Sequence, residues 1–160
     1  MFQYEYFYFI LLAIQLLITF AVLIAATYYD LKKGIIPIEV TMPLCLLGFV
    51  TSILPQTMIN IILAACFLVI ATPLYYKNYL GGGDIKLLIG VLLFTPVVFI
   101  VPEFYILFGL LTGIAGLVLY VLFKYVLKQE ALVEKATLRF APAILIGWTI
   151  TAIVIIMGLL

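Results

Sequence analysis

The sequence predicts an all-α, polytopic membrane protein with about six transmembrane helices, on three observations. Hydrophobic residues make up 68% of the 160 and charged residues only 9%, against roughly 25% charged in soluble domains. The apolar residues form long continuous runs near the ~20 residues that a spanning helix needs, rather than the short alternating segments of a membrane barrel. The few charges fall between those runs. A soluble fold of this composition would expose apolar patches large enough to drive aggregation. A single transmembrane domain over residues 1–160 is expected, with no room for a separate soluble domain.

The first run extends from about Tyr6 to Tyr29. It is too long for the apolar core of a signal peptide, and no Lys or Arg precedes Lys32, so a first spanning helix is expected. The second run follows Pro37 and ends near Leu54, and Pro55-Gln56-Thr57 turns the chain into the third, about Met58 to Tyr76. The fourth begins behind the glycines of "NYLGGGDIKLLIG", near Ile85, and ends about Val101. Pro102-Glu103 leads into the fifth, about Phe104 to Leu127, and the sixth runs from about Leu138 to the end of the sequence. Gly109 and Gly113, with Gly116 one turn on, predict close helix packing. No internal repeat of the kind that builds two-halved transporters is visible.

The net charge of +1 gives no reason to expect nucleic acid as a partner. Its distribution is more informative. Lys32, Lys33, Lys77, Lys86, Lys124, Lys128, Lys135 and Arg139 all fall on one side of a six-span topology, and Glu5 and Glu103 fall on the other. The positive-inside rule makes the basic side cytoplasmic and places both termini outside. The cytoplasmic connections "DLKKGIIP", "YKNYLGGGD" and "KYVLKQEALVEKATLR" are the longer, more polar ones, and the last has the pattern of a short amphipathic helix. Function carried by loops is expected on that face.

Histidine is absent, which argues against a zinc hydrolase and against a Ser-His-Asp triad. Cys45 and Cys66 lie singly inside apolar runs and read as packing residues. The chain has two aspartates, Asp30 at the end of the first span and Asp84 at the start of the fourth, and the topology places them at similar depth on one face. Ionisable groups at membrane depth are costly and tend to be functional. Two converging carboxylates can share one proton, so that one takes a proton from water while the other donates to a carbonyl oxygen. That chemistry needs no metal and no cofactor. Gly81 and Gly83 would let the backbone adopt positive φ and let an extended peptide approach closely. Lys86 reads as a positive-inside anchor or as a group tuning the pair. The plain alternatives are that Asp84 is a helix N-cap and that Asp30 terminates its helix at the interface.

"GGGDIKLL" resembles the Gly-x-Gly-Asp motif of the type IV prepilin peptidases, including the short bacterial and archaeal preflagellin forms. "YYDLKKGIIP" resembles their first motif, although Ile38 stands after Pro37 where many members carry Asn. "LRFAPAILIGW" is similar to their late motif, with an aromatic and a small residue before Pro142. The resemblance implies an intramembrane-type aspartic peptidase with Asp30 and Asp84 as the catalytic pair. Gly81 and Gly83 would shape the loop, and Lys86 matches the lysine behind the motif aspartate. Pro142 would open space beside the pair or simply start its helix. The implied partners are the bilayer and a prepilin-like or preflagellin-like precursor with a basic leader and a hydrophobic N-terminal helix. The paired Cys-x-x-Cys segment that accompanies N-methylation in larger members is missing, which implies a peptidase without methyltransferase activity. The rival readings are a presenilin-like protease, which also uses Tyr-Asp and Gly-x-Gly-Asp, and a non-enzymatic channel or assembly factor.

Overall fold

In hydrocarbon every backbone N–H and C=O must find its partner within the protein, so long apolar runs fold as helices. The computed structural model describes residues 2–53, 57–77, 80–96, 99–122 and 140–159. Among the described residues six helices follow in order: α1 (Phe2–Lys33), α2 (Ile38–Ser52), α3 (Met58–Tyr76), α4 (Gly82–Leu93), α5 (Pro102–Val121) and α6 (Ala141–Leu159). No strand occurs among the described residues. By length and composition α1, α3, α5 and α6 are long and apolar enough to cross a membrane. At 15 and 12 residues, α2 and α4 are shorter than the usual span. The expected helix in the third basic connection, the end of the fifth run and the start of the sixth lie outside the described residues.

Helix α4 is the hub. Asp84, Ile85, Leu87, Leu88, Gly90, Val91 and Leu93 are buried around nearly its whole circumference. It packs chiefly on α2 and α3, while α1 and α5 pack on α6. Close approaches at glycine set these distances. A Cβ on Gly48 of α2 would lie 2.7 Å from Leu93 Cβ, and one on Gly90 of α4 would lie 3.3 Å from Leu44 Cβ. A Cβ on Gly147 of α6 would meet the Thr112 side chain of α5. The glycine pair for which the sequence predicts close packing behaves differently. Gly109 and Gly113 are exposed, and no neighbouring atom lies within 4 Å of where their Cβ atoms would stand.

The fourth run does not stay helical to Val101. Helix α4 stops at Leu93, about 18 Å from its start at 1.5 Å per residue, and Pro96 follows shortly after. Carbonyls freed at that end receive side-chain donors from two other helices. Ser52 Oγ donates to Leu93 O at 2.8 Å, and Asn60 Nδ2 donates to Thr95 O at 3.1 Å. Tyr105 Oη donates in turn to Asn60 Oδ1 at 2.8 Å, which ties α5 to α3. Phe99, fully buried, stacks on Phe104 with ring centroids 5.2 Å apart. Non-helical backbone at this depth is tolerated because protein covers it.

Asn60→Leu removes the donor to Thr95 O and the acceptor for Tyr105 in fully buried surroundings. It is expected to lower stability by about 1–3 kcal/mol, read as an earlier unfolding transition in detergent. A surface-like effect of a few tenths would show that this network does not hold the end of α4.

Candidate active site

The buried positions of α1 after residue 8 include Gln15, Thr19, Leu23, Ala26 and Asp30, spaced by three and four as one helical stripe. Asp30 is thus the last member of the core-facing side. Lys32 and Lys33, in the same final turn, point outward. Lys32 Nζ donates to Tyr28 Oη at 2.8 Å, and Lys33 Nζ lies 5.2 Å from the centroid of the Tyr29 ring. The helix ends at Gly34, whose φ of 68° is left-handed and whose N–H donates to Asp30 O at 2.9 Å. Gly34 therefore terminates α1, and the Asp30 side chain is not needed for that task. The turn leaves Ile35 exposed and directs Ile36 inward, and Pro37, with an extended backbone, opens α2.

The head of α4 is built differently from the expectation. Gly81 is the N-cap, with φ −73° and ψ 146°, and Gly82 and Gly83 already belong to the first turn. Among the described glycines only Gly34 has positive φ, so these three are not there for left-handed backbone. What matters is the missing Cβ. One on Gly81 would lie 2.9 Å from Asp84 Oδ2, and one on Gly83 would lie 2.9 Å from Ile36 Cβ and 3.4 Å from Ile36 N. Gly83 is half-buried and packs closely against Ile36 of the α1–α2 connection. Asp84 is the third residue of the helix rather than its cap, and its carboxylate accepts the Gly81 N–H in the manner of half a capping box.

These contacts bring the two aspartates to one end of the bundle. Both are buried, at 4% exposure for Asp30 and 5% for Asp84, and the charge of Asp30 is felt directly at Asp84. Asp30 Oδ2 accepts the backbone N–H of Ala141 at 3.2 Å, so the first turn of α6 closes on the pair. Asp84 Oδ1 is buried without a hydrogen-bond partner. Pro142, also buried, is the second residue of α6. At that position its missing N–H leaves no intrahelical bond unmade, so it starts the helix rather than kinking it. Lys86 is not in this group. Its side chain is exposed and its charge reaches Cys45 on α2, whose Sγ donates to Lys86 O at 3.4 Å. Ala141 was not foreseeable as a partner, because any residue supplies a backbone N–H.

Fold and site together define a helical membrane protein with a buried carboxylate pair where three helix ends meet. The sequence model of the type IV leader peptidase family matches residues 17–160, and the chain belongs to that family. No curated protein matches the chain, and no solved structure does.

Two neighbouring glycines should respond differently to alanine. A Cβ on Gly82 would stand 3.4 Å from the movable Tyr75 ring edge, so Gly82→Ala is expected to be near neutral. Gly83→Ala drives a methyl into Ile36 and is expected to destabilise by about 1–3 kcal/mol. Thermal unfolding of both variants checks this, and equal effects would overturn it.

Proposed function

We propose that the protein is a membrane-embedded aspartic endopeptidase that removes the short basic leader from prepilin-like or preflagellin-like precursors. The observation that carries this reading is the convergence of the chain's two aspartates, buried, with one carboxylate oxygen of Asp84 unpartnered. Membership of a leader peptidase family supplies the reaction class. A water between the carboxylates loses a proton to the ionised one as its oxygen adds to the scissile carbonyl carbon. The protonated partner gives its proton to the carbonyl oxygen. Collapse of the resulting diol breaks the C–N bond, and the leaving amine takes a proton back from the pair. Each round consumes one water and restores the shared proton, so no metal, cofactor or covalent intermediate enters.

The N–H of Ala141 fixes the orientation of Asp30 in this scheme. The basic residues Lys32, Lys33 and Lys77 cluster at the same helix ends as the pair, which supports a cytoplasmic site by the positive-inside rule. A leader held in the cytoplasm would then meet the carboxylates as its hydrophobic helix enters the bilayer. Leader removal without N-methylation is the whole reaction in this reading.

Membranes carrying the protein should cleave a precursor with a basic leader and a hydrophobic N-terminal helix. Asp30→Asn and Asp84→Asn should each reduce cleavage by about 10²–10⁴-fold or more at equal protein level, and activity surviving either change refutes the pair. Ala141→Pro removes one N–H at a helix position that accepts proline. It should lower kcat by about tenfold, the worth of one charge-assisted hydrogen bond, with KM held. A change in KM alone would mean that Ala141 does not act through Asp30.

A further inference from the structure

A groove of about 400 Å³ lies between α3 and α5, and its lining includes Cys66 of α3, Leu88 and Leu92 of α4, Gly109 and Gly113 of α5, and Phe140. We propose that this groove seats the hydrophobic helix of the precursor, just beyond the bond to be cut; the proposal rests on the leader peptidase reading above.

The groove and the carboxylate pair share one face of α4. Asp84, Leu88 and Leu92 follow one another at intervals of four on α4, so the groove floor extends the face that carries Asp84. At 1.5 Å per residue, Leu88 and Leu92 stand about 6 and 12 Å along the helix from Asp84. Phe140 directly precedes Ala141, whose N–H holds Asp30. The other end is closed by the Tyr105–Asn60 hydrogen bond between α5 and α3. An apolar segment laid along this face of α4 would start one helical turn from Asp84 and run toward that hydrogen bond.

The glycines point to a helix rather than a loose chain. Gly48, Gly90 and Gly147 are each covered by a neighbouring helix of the same protein, but Gly109 and Gly113 face open space. A glycine one turn from another lowers the wall of α5 and lets a second helix backbone come close, as small residues do at membrane helix interfaces. The wall and floor are apolar, which suits the hydrophobic stretch of a precursor and not its basic leader.

Two measurements on the full-length protein decide the matter. In the first, Gly109→Leu and Gly113→Leu together fill the groove where space is open. KM for a helix-bearing precursor should then rise about tenfold more than KM for the same precursor truncated after the scissile region. Equal effects on the two substrates would overturn the proposal. In the second, Cys45→Ala leaves Cys66 as the one thiol, and Asp84→Asn allows binding without turnover. The helix-bearing precursor should slow alkylation of Cys66 by a membrane-permeant maleimide, and the truncated one should not. Unchanged alkylation would leave the groove to lipid and overturn the proposal. Protection of Cys66 with no cleavage by the unmodified protein would keep the docking surface and reject the peptidase reading, so the two failures are distinguishable.

Discussion

The contact of Ile36 with Gly83 is the constraint on which the site depends. It joins the connection after α1 to the first turn of α4, where a Cβ on Gly83 would come within 2.9 Å of Ile36 Cβ. Asp30 lies six residues before Ile36 along the chain, and Asp84 is the residue after Gly83. Any residue larger than glycine at 83 would push the two segments apart and separate the carboxylates with them. The left-handed Gly34 is what turns Ile36 back toward α4. The first and second motifs thus form one interlocking unit, although the sequence presents them as separate stretches.

Helix ends make up most of what surrounds the pair. The last turn of α1, the first turn of α4 and the first turn of α6 meet there, and backbone N–H groups from Gly81 and Ala141 reach the two carboxylates. Unsatisfied N–H groups at helix starts carry partial positive charge, which makes such a place suitable for acidic side chains in an apolar surround. At the opposite end of α4 the logic reverses, with carbonyls exposed and side-chain donors from Ser52 and Asn60 attending to them.

Much of this was legible in the sequence for physical reasons. Long apolar runs leave the backbone no option but helix, so α3 falls at Met58–Tyr76 as read. Two aspartates in a chain this apolar stand out by their cost alone. The end of α4 was masked by the apolar stretch Phe94 to Val101, although Pro96 within it marks a helix stop; the carbonyls left there are met by Ser52 and Asn60. Positive φ was expected in the glycine run, but steric closeness to Ile36 and to the Asp84 carboxylate is the reason visible there. Close packing was expected at the Gly109–Gly113 pair, but both glycines are exposed with no atom within 4 Å of a Cβ position. Spacing of small residues marks where close approach is possible, not which faces the fold leaves uncovered.

The tyrosines beside the lysines have a consequence for where the chemistry sits. Tyr28 and Tyr29 meet edge to face at the end of α1, and Tyr75 and Tyr76 do so at the end of α3. Amphipathic rings with basic neighbours favour the headgroup level, so in the proposed orientation these two pairs would mark a waterline for the bundle. In the proposed orientation a change in bilayer thickness would be absorbed at the far ends of the helices, and the depth of the carboxylate pair would stay the same.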